Sequence, residues 1–176
     1  MFEATQYLVE REVLSNKKKK SKLIKDADGG MLGSYEPEKL GVVVIKDANG
    51  VVQGEVRNLG KFMHLELAVF GPQHSNRGMI KQTKQEFGVS GVFGDATLKS
   101  DKFALLNPQG EPIAFLATTK HERHQPFLNF LAPDKGLVAN VGPSPMGDFV
   151  KIDVKQAGFD PLMVFAFVTW FELFGT

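Results

Sequence analysis

Apolar and polar residues alternate along most of the chain, which is the pattern of β-strands that have one buried face. The stretch FMHLELAVF at 62–70 shows this alternation, and β-rich runs of similar length occur at 6–14, 126–132 and 149–155. Gly, Pro, Asn and Asp lie between many of these runs, as they do between strands. The pattern predicts roughly eleven or twelve strands.

Three predicted hairpins share a turn in which Asp or Asn is followed three residues later by Gly. The turns are Asp26–Gly29, Asp47–Gly50 and Asn107–Gly110, within the segments 23–36, 43–56 and 104–117. Asp or Asn bonds the backbone of such a turn, and Gly adopts a positive φ without steric cost. A looser fourth copy surrounds Asp134 and Gly136. The copies are unevenly spaced, so they indicate recurring hairpins and not a stacked solenoid.

The end of the chain predicts a single helix over about 161–174, with Asp160 as its N-cap and Pro161 as its first residue. Thr169 and Glu172 are the polar interruptions of its surface, and a helix that is apolar all round is buried on every side or lies in lipid. The uncharged run covers only about 15 Å, whereas a bilayer core is about 30 Å thick. We therefore predict an all-β fold, a roughly twelve-stranded closed barrel around this helix.

Length and composition favour a single domain that covers residues 1–176, with 160–174 as its buried core helix. The chain is 43% apolar and 23% charged, which is ordinary for a globular protein, and its 15 Phe indicate an interior rich in phenyl rings. It has no cysteine, which excludes disulfides, Cys-ligated metals and a thiol nucleophile. The N-terminus has acids where a signal peptide would begin with basic and apolar residues, so we expect a cytoplasmic protein.

The order of these parts resembles the Tubby C-terminal-like superfamily, which includes the phospholipid scramblases and the LURP-one-related proteins. The ending at 148–174 is similar to the last strand and core helix of that family. The segments 22–33 and 42–56 are similar to its repeated hairpins, and YLVEREVLS at 7–15 resembles its opening strand. The resemblance covers nearly the whole chain and implies a twelve-stranded barrel wrapped around a hydrophobic C-terminal helix.

The chain departs from the scramblases in features that bear on function. Scramblases carry a Pro-rich tail and cysteines for lipidation, which this sequence does not contain. Before the last strand, where scramblases have an acidic segment proposed to bind calcium, this chain offers only Asp148 and Asp153. A calcium-dependent lipid transporter of the scramblase type is therefore an alternative and not the main expectation.

A run of lysines forms the sharpest charge feature of the chain. Net charge is +1, yet the segment 16–25 contains six lysines and no acid, so the remainder is mildly acidic. Clusters of four to eight lysines bind anionic membrane surfaces, at about 1 kcal/mol for each lysine. The predicted lipid-binding residues are Lys17, Lys18, Lys19, Lys20 and Lys22.

A run of lysines is also typical of solvated loops and of nucleic-acid-binding segments. A solvated loop that binds nothing specific has the same composition. Nucleic acid is not an expected partner, because the run lacks interleaved aromatic residues and the rest of the surface is acidic.

Segments that approach known catalytic or metal-binding motifs fail on spacing. If Gly29 or Gly50 is placed at the sixth position of an EF-hand loop, an isoleucine falls at the first. KHERH at 120–124 is one residue short of the zinc-protease motif, and GVSG at 88–91 lacks the second Gly of a nucleophile elbow. We expect no catalytic residue, no metal and no cofactor, and hence a protein that is not an enzyme.

These observations predict a non-enzymatic domain that binds anionic phospholipid or phosphoinositide headgroups through its basic loop. Such a protein would be cytoplasmic and peripheral at the membrane. A scramblase-like lipid transporter and a soluble regulatory or interaction scaffold without a lipid role are the alternatives.

Overall fold

The computed structural model describes residues 1–12, 20–60, 65–83, 87–89, 96–98, 102–119 and 127–174. Within these ranges the chain forms the following elements: β1 (Gln6–Glu10), β2 (Lys22–Asp26), β3 (Met31–Lys39), β4 (Val42–Asp47), β5 (Val52–Asn58), β6 (Glu66–Phe70), β7 (Asn76–Thr83), β8 (Phe87–Val89), β9 (Ala96–Leu98), β10 (Lys102–Leu106), β11 (Pro112–Thr119), β12 (Phe127–Leu131), β13 (Leu137–Pro143), β14 (Phe149–Val154) and α1 (Pro161–Phe174). The connection from β6 to β7 contains one 3₁₀ turn, Pro72–His74.

Twelve of the described strands close into an antiparallel barrel. The order runs from β1 to β7 and on from β10 to β14, and β14 pairs with β1 from Gln6–Asp153 to Glu10–Phe149. β8 and β9 pair with each other as a separate two-stranded sheet between β7 and β10. Since almost every barrel strand pairs with its neighbour in sequence, the local hairpin signals specify most of the topology. The predicted twelve-stranded barrel is confirmed.

The helix α1 lies inside this barrel and packs against β4, β5, β6 and β7. Every residue from Leu162 to Trp170 is buried, which confirms its prediction as the core of the barrel. Asp160 caps the helix, because its Oδ1 accepts the backbone N–H of Leu162 at 3.0 Å. On β5 the lack of a side chain at Gly54 admits the helix, since a Cβ there would lie 2.5 Å from a methyl of Leu162.

Phenylalanine rings fill the space between helix and wall, as the composition predicts. The ring of Phe165 lies 4.9 Å from that of Tyr7 and 5.1 Å from that of Phe2, between ring centroids. Phe167 packs in a similar way, 5.2 Å from Phe103. These separations fall in the range that favours tilted and edge-to-face pairs.

The three predicted Asp/Asn–Gly turns share one geometry. In each, the Oδ1 of the first residue accepts the backbone N–H groups of the residues two and four positions later, at 2.7–3.0 Å. The glycines have φ of 80–87°: Gly29, Gly50 and Gly110. The fourth turn is present, but its anchors differ from the predicted Asp134 and Gly136. There the position of the glycine is taken by Lys135, with φ 69°, and its N–H bonds the carbonyl of Ala132.

Candidate functional site

The two ends of the barrel differ in their connections. One end carries the tight turns just described and the start of α1. The other end carries the described residues 11–12, 20–21, 40–41, 59–60 and 144–148 and the last turn of α1, and we name it the distal rim. The antiparallel order of the strands places at the distal rim both strand ends that flank the predicted basic loop, Glu10 of β1 and Lys22 of β2.

The structure separates the lysines that the sequence grouped together. Lys17, Lys18 and Lys19 lie outside the described residues, and Lys20 is exposed at the distal rim. Lys22 is different: its side chain is 1% exposed, and its Nζ lies 3.0 Å from Oε2 of Glu12.

The orientation of Lys22 follows from strand geometry. Side chains on a strand alternate between its two faces, so Lys22 lies on the same face of β2 as Ile24, which is buried in the barrel core. A buried, ion-paired ammonium is not presented to a membrane, and we remove Lys22 from the predicted lipid-binding set.

Charged groups close the interior of the barrel at the distal rim. Glu172, in the last turn of α1, lies 3.5 Å through Oε1 from Nε of Arg11 and accepts the backbone N–H of Glu12 through Oε2 at 3.0 Å. The hydroxyl of Tyr35 donates to the carbonyl of Glu10, and burial raises the pKa of Tyr35. The Lys22–Glu12 pair belongs to the same layer, and the hydrogen bond from the backbone of Glu12 to Glu172 ties the segment that follows β1 to the helix.

Large apolar side chains are exposed on the same rim. Leu40 is 93% exposed, Leu59 53% and Met146 41%. Leu40 stands at the tip of the β3–β4 turn, next to the exposed Lys39. Two hydrogen bonds connect this turn to β5 and to α1: the carbonyl of Gly41 accepts the backbone N–H of Asn58 at 2.9 Å and the indole N–H of Trp170 at 3.4 Å. Sequence reasoning did not single out Leu40, although a leucine before a turn glycine was the available signal.

A cavity of about 210 Å³ lies at the distal rim between β13, β14 and the second half of α1. Apolar side chains form most of its lining, and Arg11 and Glu172 lie at its polar side. No local pattern in the sequence predicts this cavity, because the residues that line it come from separate parts of the chain.

A second polar group lies on the outer wall, away from the helix. His74, for which the sequence offered no partner, places its Nδ1 3.5 Å from Oε2 of Glu55. Glu55 also accepts a hydrogen bond from Arg57, which raises the pKa of Arg57. Both Gln73 and His74 have φ of 56°, a strained value for residues other than glycine.

The chemistry of this second group is limited to what one histidine and one carboxylate can do. Among the described residues, no cluster of three or more His, Asp or Glu side chains is arranged to hold a metal ion. The EF-hand-like segments form hairpin turns instead. The KHERH segment at 120–124 lies outside the described residues.

Comparisons with known proteins agree with the barrel. No family model matches the chain, and no curated protein matches it. The crystal structure of a protein from Arabidopsis thaliana is similar to it, with a TM-score of 0.60 and 10% sequence identity over 97% of this chain and 92% of that chain. At this identity the similarity concerns the fold alone. Within the described residues, no helix has the length and apolar content that crossing a bilayer requires.

Proposed function

We propose that this chain is a non-enzymatic domain, related to the scramblase and LURP-one-related proteins, that binds anionic phospholipid or phosphoinositide headgroups through the distal rim. The observation that carries the proposal is the position of Leu40, almost fully exposed on the barrel end where the two strands that flank the lysine run, β1 and β2, also have their adjoining ends. Neither the lysines nor the leucine alone would indicate a membrane-binding surface.

The two features act on different parts of a membrane. Lysines near an anionic surface gain about 1 kcal/mol each from its negative potential. An apolar side chain that enters the interfacial region gains by leaving water. Hydrogen bonds to the carbonyl of Gly41 hold the backbone of the turn that carries Leu40, so insertion of the leucine would cost little additional backbone ordering.

The lysines of the proposed surface are Lys17, Lys18, Lys19, Lys20 and Lys39. Lys39 enters because it is exposed beside Leu40, and Lys22 leaves because it is buried. A lysine presents a compact charge on a flexible four-carbon side chain, which suits the recognition of headgroups as point charges without a shaped pocket.

Co-sedimentation with vesicles tests the proposal. Vesicles of phosphatidylcholine alone are compared with vesicles that also contain phosphatidylserine or a phosphoinositide, at low salt. We expect binding to the anionic vesicles that weakens as salt is added. Changing Lys17–Lys20 to Gln should weaken it by roughly two to three orders of magnitude, if each lysine contributes about 1 kcal/mol. Leu40→Ser should weaken it by about tenfold.

Matched variants at the other barrel end serve as controls. The double change Lys20→Gln with Lys39→Gln removes two exposed charges from the distal rim. The double change Lys135→Gln with Lys155→Gln removes two exposed charges from the opposite end. The proposal requires that the first pair weakens vesicle binding and the second does not. Equal effects, or absence of binding at low salt, would show that the distal rim is not a membrane-binding surface.

The two alternative functions, a scramblase-like lipid transporter and a scaffold without a lipid role, predict different outcomes in assays with lipid vesicles. A fluorescent-lipid flipping assay with and without calcium distinguishes binding from transport, and accelerated flipping would favour the scramblase-like transporter. A folded protein that stays in the supernatant with every vesicle composition would favour the scaffold without a lipid role.

A further inference from the structure

The cavity at the distal rim has the volume and lining of a site for a short apolar chain. Its volume of about 210 Å³ exceeds that of an engineered cavity of about 150 Å³ that binds benzene. Val141 and Val150 contribute to it from the barrel wall, and Phe167 and Phe171 from the helix. The cavity opens at the distal rim, so a ligand can enter it from solvent or from a membrane surface, and apolar surface that a ligand removes from water there favours binding.

The polar side of the cavity restricts what that occupant can be. Arg11 lies there with 42% of its side chain exposed, and Glu172 is paired with it. One positive and one negative group face each other, so neither a cation nor an anion is strongly favoured. Ser144 adds a hydroxyl to the lining. An uncharged polar head, such as an ester or an alcohol, suits this mouth, with its apolar tail directed toward the phenyl rings.

We infer that the cavity binds the end of one acyl chain of a lipid, a stretch of roughly six to eight carbons, with an uncharged polar group at Arg11 and Glu172. The inference rests on the proposed function for the source of the chain, since the cavity lies on the rim that would face the membrane. Headgroup binding by the lysines and chain binding in the cavity then act on the same lipid surface.

Isothermal titration calorimetry with hexanol, heptanol and octanol tests the cavity without any membrane. The affinity should rise about fourfold for each added methylene until the cavity is full. Octanol should bind at least as tightly as octanoate or octylammonium, because the charges at the mouth compensate each other. No saturable binding of octanol, or a strong preference for one charged form, would overturn the inference.

Two substitutions that fill the space provide the structural control. Val141→Phe and Val150→Phe should each abolish octanol binding while thermal stability is kept or raised, because filling a void is favourable. The matched control is Val51→Phe, at an exposed valine on the opposite barrel end. Octanol binding that persists in the folded filled variants would refute the site.

A measurement on the unchanged protein covers the case in which both filled variants unfold. Octanol should shift the methyl resonances of Val141 and Val150 and leave those of Val51 unchanged, and shifts confined to other residues would refute the site. The two proposals also fail separately. Vesicle binding without octanol binding overturns only the cavity, and octanol binding without vesicle binding overturns only the headgroup surface.

Discussion

Replacing Phe165 by alanine removes the central ring of the helix–barrel contact. Phe165 is fully buried, and its ring packs on Tyr7 of β1 and on Phe2. Burial of a phenylalanine side chain is worth about 1.5–3 kcal/mol, and each aromatic pair adds about 0.5–1.5 kcal/mol. The cavity left by such a truncation brings the usual total to about 3–5 kcal/mol, and we expect about 4 kcal/mol for Phe165→Ala.

Urea denaturation measures this loss with an internal reporter. Trp170 is the only tryptophan of the chain and is buried on α1, so its fluorescence follows release of the helix from the barrel. A domain of this kind has about 5–15 kcal/mol of total stability, and the variant should therefore unfold at a much lower urea concentration with an unchanged slope.

A surface leucine provides the control for Phe165. Leu40→Ala removes an apolar side chain that is almost fully exposed, so stability should change by no more than about 0.5 kcal/mol. A loss below about 1 kcal/mol for Phe165→Ala would mean that α1 does not form the core of the barrel, since a ring with these contacts cannot be removed so cheaply.

Three further predictions concern protonation and backbone geometry. Burial raises the pKa of Tyr7 to about 12 and also raises that of Tyr35. The folded state therefore favours the protonated tyrosines, and the stability that they contribute is complete below pH about 10 and is lost as the pH rises above it. In an alkaline titration, tyrosinate absorption should appear together with unfolding and not before it. Lys135→Gly should raise the free energy of unfolding by up to about 1 kcal/mol, because glycine adopts the positive φ at this position without strain. Gly50→Ala should lower the free energy of unfolding by about as much, because alanine does not. Urea denaturation measures both variants, and changes in the same direction would contradict this reasoning. Gly78→Ala should lower the free energy of unfolding by at least about 2 kcal/mol, since the φ of Gly78 is 134° and a Cβ would lie 2.0 Å from the carbonyl oxygen of Leu106. Unchanged stability in urea denaturation would refute that close approach.

Much of the barrel was predictable because its signals are local. A period of two marks the strands, and the Asp/Asn–Gly turns mark three hairpins through side-chain hydrogen bonds that span at most five residues. The fourth turn was misplaced for the same reason, since Lys135 adopts the left-handed conformation without the residue type that usually announces it. The polar cap and apolar run of α1 likewise lie within one short segment.

The candidate site was predicted less well, because it depends on which way each side chain faces. The lysines form one continuous run in the sequence. In the structure, however, Lys22 is on the buried face of β2 and pairs with Glu12, whereas Lys20 is exposed to solvent. Exposure of Leu40 depends on its turn standing clear of the barrel wall. The cavity beside Arg11 and Glu172 joins residues that are more than a hundred positions apart, and no local pattern encodes it.

The sequence by itself determined the architecture of this protein: alternating strands, tight turns and one helix too apolar to be exposed and too short to span a membrane. These properties follow from periodicity and local hydrogen bonding, which act between near neighbours. The tertiary structure alone decided which charges are buried and which face water, and it created the cavity at the distal rim. Closure of β14 on β1 brings the two ends of the chain together, and such long-range contacts have no counterpart in a local pattern.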